Sequence, residues 1–206
     1  MKLSTTLLSI LVPSLLVGST TTNETSFGGD FSSNWLAPTG LSFTTDSNQV
    51  FGTLIRTSTT TPDDKDYFTF TVPTGNQIIA INVLPGTIAG GGGGVSFIGI
   101  AAGSTVIDPN TTPNSALAAG LLGYTLYGAG DIGKSILPRM ASSNSIVPAA
   151  QGFSVLGPGT YTIWIQEGAT GTFPYGFDIV IGTPEPATVM LMAASLALIA
   201  LSRRRL

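Results

Sequence analysis

The strongest constraint in this chain is a period-two alternation of apolar and polar residues. In DYFTFTVP (66–73), Phe68, Phe70 and Val72 fall on one face and Tyr67, Thr69 and Thr71 on the other. A helix cannot segregate residues in that way, whereas a strand does so automatically. The pattern recurs in QIIAINVL (77–84), with Ile79, Ile81 and Val83 on one face. It returns in GTYTIWIQ (159–166), with Tyr161, Ile163 and Ile165, and in GFDIVI (176–181), with Phe177, Ile179 and Ile181. VFGTLIR (50–56), VSFIGIA (95–101), LLGYTLY (121–127) and GFSVL (152–156) are further strand candidates, each bounded by turn formers. About eight short strands with no amphipathic helix between them predict an all-β fold, an antiparallel β-sandwich or jelly roll. VPTGNQ (72–77) and GPGT (157–160) read as tight hairpin turns. Residues 102–120 and 133–150 read as long loops, either a binding surface or surface filler.

Composition narrows the chemistry. The chain has neither cysteine nor histidine, so stability rests on a packed core. Ser-His-Asp and Cys-His machinery and the common zinc sites are excluded. Between Thr20 and Thr183 four basic residues (Arg56, Lys65, Lys134, Arg139) stand against ten acids, a net of six negative charges. Such a surface repels phosphate backbones, so no nucleic acid is expected as a partner.

Both ends read as targeting segments. Residues 1–19 combine Lys2, an apolar run from Leu7 to Val17, and small residues at Gly18 and Ser19, the layout of a secretory signal peptide. That leaves 20–183 as a β-sandwich domain and 184–206 as a separate tail. As a helix, residues 187–202 would span roughly 24 Å, slightly short of a hydrocarbon core of about 30 Å. Pro184 and Pro186 prevent that helix from extending backward. The terminal Arg203, Arg204 and Arg205 act as a basic membrane stop that favours the cytoplasmic side.

The triplet Pro184-Glu185-Pro186, the short apolar stretch and the terminal arginines together resemble a PEP-CTERM sorting signal. The resemblance implies processing by an exosortase, transient residence in the inner membrane through a C-terminal hydrophobic transmembrane helix, and delivery to the cell surface or extracellular matrix. A second resemblance lies in the central region. GTLIRTSTTTPDDKDYFTFTVPTGNQIIAINV, with LGPGTYTIWIQEGATGTFPYGFDIVI downstream, is similar to the bacterial pre-peptidase C-terminal domain. That resemblance implies a non-catalytic accessory β-sandwich; the insert carrying Gly90 to Gly94 departs from the family's compact form.

Four local features bear on function. GAGDIGKS (128–135) fits the phosphate-loop spacing, but Pro138 follows closely and no strand-helix alternation surrounds it, so Lys134 is expected to be a solvated loop charge. The five glycines from Gly90 to Gly94 suit a hairpin loop. Trp164, opposite the apolar face of its strand, is either a packing residue or a sugar-stacking platform. Asp63, Asp64 and Asp66 crowd the turn before DYFTFTVP and would suit calcium, with distant donors such as Asn48; a solvated acidic turn is the alternative.

The sequence therefore predicts an exported structural or adhesive protein of the cell surface or matrix, associated with exopolysaccharide. No catalytic residues are assigned and no cofactor is required, although calcium is possible. The alternative is a calcium- or glycan-binding accessory module. Mass spectrometry of surface material should find mature protein without residues 187–206; peptides retaining Met190 to Leu206 in the mature pool would show a permanent anchor instead.

Overall fold

The computed structural model describes residues 18–58, 64–110, 118–143 and 149–183. The apolar run read as a signal peptide, Asp63, the Pro184-Glu185-Pro186 triplet, the segment expected to form a C-terminal hydrophobic helix and the arginine cluster lie outside the described residues.

Among the described residues nine strands form two sheets. They are β1 (Thr20–Asn23), β2 (Thr39–Gly40), β3 (Asp46–Arg56), β4 (Lys65–Val72), β5 (Gln77–Val83), β6 (Val95–Ala102), β7 (Gly123–Gly128), β8 (Gly159–Gln166) and β9 (Gly171–Gly182). The first sheet has the order β1-β3-β9-β5 and the second β2-β4-β8-β6-β7. Their facing sides share one core. Val50, Leu54, Ile81, Val83, Phe177, Ile179 and Ile181 come from the first sheet; Phe68, Phe70, Val72, Ile98, Ile100, Ile163 and Ile165 come from the second. Tyr127 and Phe177 meet edge to face across the interior at 5.0 Å between ring centres. Apart from Ile79, the predicted strand faces become the two halves of a sandwich core.

Several expectations need correction. The sheets are mixed, because β1 runs parallel to β3 and β2 parallel to β4, while the remaining pairs are antiparallel. More than twenty residues separate each parallel pair, long enough for the chain to return and lay the second strand in the same direction. The turn at Pro73–Asn76 is tight, with Asn76 N donating to Pro73 O at 3.1 Å. It is not a hairpin, since β4 and β5 belong to different sheets. The Gly90–Gly94 run is likewise no hairpin loop; it carries the chain from β5 in one sheet to β6 in the other. Residues 152–156 form no strand either. Gln151 N and Gly152 N donate to Leu121 O and Leu122 O near the second sheet, whereas Leu156 O accepts from Ile78 N at the edge of the first. Divided between two sheets, the segment cannot build one ladder.

In β5 the register slips between Ile78 and Ala80. This bulge turns Ile79 out to 48% exposure and puts Ile78 inside at 3%, so Ile78, not Ile79, shares the core with Ile81 and Val83. The phosphate-loop look-alike covers the outer edge of β5. Gly133 N bonds Val83 O, and Ile136 N bonds Ile81 O. A short helix α1 (Leu137–Ala141), with proline in its first turn and Met140 buried, follows inside the predicted loop 133–150. Lys134 is exposed and donates to Gly130 O at 2.8 Å, so the segment satisfies an otherwise open strand edge. Among the described residues no helix is long and apolar enough to cross a membrane.

Asn48, fully buried, holds β1 against β3. Its Oδ1 accepts from Thr20 Oγ1 and Thr44 N at 2.8 Å, and its Nδ2 donates to Thr44 O, Asp46 O and Ile179 O. It is not available as the distant calcium donor that the sequence suggested.

The core assignment sets an ordering of mutational costs. Phe177→Ala should destabilise by about 3–5 kcal/mol through the cavity it leaves. Ile79→Ala should stay within about 0.5 kcal/mol, as exposed sites do. Denaturant unfolding of both variants checks this, and a larger loss at Ile79 would place that side chain in the core.

Candidate functional site

Two features stand apart from simple core packing: a cluster of carboxylates between the sheets and an aromatic cleft on the outer face of the second sheet.

The carboxylates come from three parts of the chain. Asp66 lies near the start of β4, where alternation would turn it away from Tyr67 and into the sandwich, and it is fully buried. Its Oδ2 accepts a hydrogen bond from the Tyr175 hydroxyl at 2.7 Å; its Oδ1, also buried, has no partner. Glu24 lies in a 3₁₀ turn (Glu24–Phe27) capped by Asn23, whose side chain accepts from Thr25 N. That turn follows β1 and points the Glu24 side chain inward, where Oε2 accepts from Thr53 N of β3 at 2.8 Å. Asp30, exposed, ends the same segment. One carboxylate oxygen from each of Glu24, Asp30 and Asp66 lies within 4.8 Å of the others. Asp64 stands close by, with Oδ2 accepting from Ile55 N at 2.6 Å.

Gly52 makes this convergence possible. A Cβ there would sit 2.3 Å from the Tyr175 hydroxyl oxygen and 2.8 Å from Glu24 Oε2. A small cavity of about 190 Å³, lined by Glu24, Gly52, Thr53, Pro85 and Tyr175 among others, adjoins the group.

Burial dominates the electrostatics. It pushes Asp66 up to about 8; the Tyr175 hydrogen bond opposes the shift, and Asp64, Asp30 and Glu24, all of the same sign, reinforce it. Desolvation also raises Glu24 and Asp64 above the usual carboxylate range, against the backbone hydrogen bonds from Thr53 and Ile55. Tyr175 is pushed well above the ordinary phenol range by burial and then by Asp66.

The structure thus brings together one residue of the sequence-predicted set, Asp66, with two that spacing along the chain could not show, Glu24 and Asp30. Asp64 lies at the margin, occupied by the backbone of β3.

Trp164, on the outward face of β8, is only 3% exposed. It packs against Phe97 and Tyr67 at 4.7 and 5.9 Å between ring centres, and Phe97 stacks on Tyr124 at 5.8 Å. Of the two alternatives for Trp164, packing prevails. The partly exposed rings of Phe97 and Tyr124 remain accessible, and with Leu126 and Gln166 they line an open cleft of about 470 Å³. Its rim includes Gly91, Gly92 and Gly168.

Beneath that rim Glu167 is buried and fully engaged. It accepts from Gly90 N at 3.0 Å, Gly168 N at 2.7 Å, Ala169 N at 2.9 Å and the Ser96 hydroxyl. Burial alone would raise its pKa, but these donors win and hold it below the ordinary value. Glu167 is therefore a structural carboxylate, in contrast to Asp66.

The Asp66 shift has a definite sign. In chelator-treated protein, the folded state holds a proton on Asp66 between about pH 4 and 8 that the unfolded state has released. Stability should fall as pH rises through that window, with the contribution fully lost above the folded value. Asp66→Asn should flatten the dependence; denaturant midpoints at pH 5 and 8 for both proteins check it, and equal slopes would contradict the assignment.

Comparisons with protein-family models, with curated proteins and with solved structures find no match for the chain.

Proposed function

We propose that the chain is an exported, exosortase-processed protein of the cell surface or extracellular matrix, whose β-sandwich serves as a non-catalytic adhesive module alongside extracellular polysaccharide. Export and processing rest on the N-terminal apolar run and on the Pro184-Glu185-Pro186 tail with its arginines. Transient insertion in the inner membrane and cleavage near the triplet follow from that resemblance.

The observation that supports a binding role is the aromatic cleft on the outer face of the second sheet. The partly exposed rings of Phe97 and Tyr124, in contact with each other, offer an aromatic surface to the apolar side of a sugar ring, with Gln166 at the margin as a polar contact. Glycoside cleavage would need two carboxylates flanking the bound sugar. Glu167, the carboxylate beneath this cleft, spends its oxygens on backbone and Ser96 donors, which favours binding over turnover.

Binding of the full chain to a panel of the producing organism's polysaccharides tests the reading. Tyr124→Ala and Phe97→Ala should each weaken retention about tenfold if the rings stack on sugar. Retention unaffected by either change would remove the cleft from consideration, and release of reducing sugar would identify an enzyme instead.

A further inference from the structure

We propose that Glu24, Asp30 and Asp66 form a calcium site that fastens the N-terminal segment to both sheets of the sandwich. The inference is independent of the aromatic cleft.

Three observations carry it. The first is spacing: one oxygen from each carboxylate lies within 4.8 Å of the other two. Oxygens on a calcium shell of about 2.3–2.6 Å radius stand no farther than about 5 Å apart, so one ion can reach all three. The second is Asp66 itself. A fully buried carboxylate oxygen with no hydrogen-bond partner is costly to keep, and Asp66 Oδ1 is such an atom, on a group turned toward Glu24 and Asp30. The neighbouring charges that act on it are all negative, so a cation would satisfy the oxygen and relieve the repulsion together. The third is room: the adjoining cavity of about 190 Å³, lined by Glu24 and Tyr175, offers space for water to complete a shell of six to eight oxygens.

The choice of ion follows from the donors. All are hard carboxylate oxygens, and the cluster offers none of the thiolate, thioether or imidazole ligands that zinc and copper prefer. The structural effect follows from where the ligands sit. Glu24 and Asp30 belong to the segment after β1, Glu24 is bonded to Thr53 of β3, and Asp66 belongs to β4 of the other sheet and is bonded to Tyr175 of β9. A bound ion would therefore cross-link three separate stretches of chain. The site differs from the acidic turn at 63–66, with which it shares Asp66 alone.

The test uses the full chain, stripped of metal, with calcium ion alone as the probe. Calcium at about a hundred times its Kd should raise the melting temperature by about 5–10 °C relative to chelator, and calorimetry should show saturable binding. Terbium in place of calcium should give luminescence on tyrosine excitation, because Tyr175 abuts Asp66, and calcium should quench it. Asp30→Asn, at an exposed position that does not threaten folding, should abolish the thermal shift; Glu24→Gln and Asp66→Asn should do the same. Asp64→Asn should retain it. Absence of both a shift and a binding isotherm in the parent chain would overturn the proposal. So would a shift that survives Asp30→Asn and Glu24→Gln but disappears in Asp64→Asn, since that would return the ion to the acidic turn.

Discussion

The buried carboxylate of Glu167 closes one end of the sandwich, and the arrangement of both sheets there depends on it. Two crossovers between the sheets converge at this point, one from β5 to β6 through the glycine run and one from β8 to β9. Glu167 accepts from Gly90 in the first and from Gly168 and Ala169 in the second, and it takes the Ser96 hydroxyl from β6. Charge-assisted bonds of this kind are stronger than neutral ones, and removing the acceptor would orphan several donors at once. The glycines fit the same requirement. A Cβ on Gly90 would stand 2.0 Å from the Phe173 ring, and one on Gly91 would stand 2.3 Å from Val95 O. Since Gly91, Gly92 and Gly168 form the cleft rim, the cleft inherits its shape from this carboxylate.

Set beside Glu167, Asp66 shows how the same functional group takes opposite roles according to its donors. Glu167 stays ionised because four hydrogen bonds replace the water it loses on burial. Asp66 receives one, from Tyr175, and leaves an oxygen unmet among carboxylates. Neither side chain is open to solvent, but desolvation weighs more on Asp66, like charges add to it and a single donor opposes it, whereas four donors outweigh the desolvation of Glu167. The first carboxylate belongs to the scaffold, and the second is where the scaffold remains incomplete without a proton or a cation.

Local patterning carried most of the strand content. β4, β6, β8 and the core half of β9 are legible because Phe, Ile, Val and Tyr alternate with Thr, Ser, Asn and Asp. β1 and β2 are not, since Thr20–Asn23 and Thr39–Gly40 have no apolar face to read; their pairing depends on side chains elsewhere, Asn48 above all for β1. Sheet membership was hidden too, because Pro73–Asn76 has the composition of a hairpin turn whichever sheet the next strand enters. The bulge at Ile79 inverts a face without leaving any mark in QIIAINVL. At the candidate cation site Asp66 was visible as part of an acidic turn. Glu24 and Asp30, some forty residues earlier, reach it only through the parallel docking of β1 on β3, which is a tertiary event. In the cleft Trp164 stands out in the sequence by its place opposite the apolar face of its strand, whereas Phe97 and Tyr124 are ordinary strand aromatics along the chain, and only the pairing of β6 with β7 and β8 brings them beside it.

The position of β9 has a consequence for the order in which the molecule assembles. It is the last described strand, yet it lies in the interior of the first sheet, pairing with β3 on one side and β5 on the other. β8, almost as late, lies between β4 and β6 in the second sheet. Neither sheet can close until its final interior strand is available, and both closures join stretches a hundred residues or so apart, which makes them slow. A growing chain therefore has no early, self-sufficient half to lock into place. It remains threadable along nearly its whole length until residue 182 has emerged, and a truncation before Gly171 would disable the entire sandwich at once.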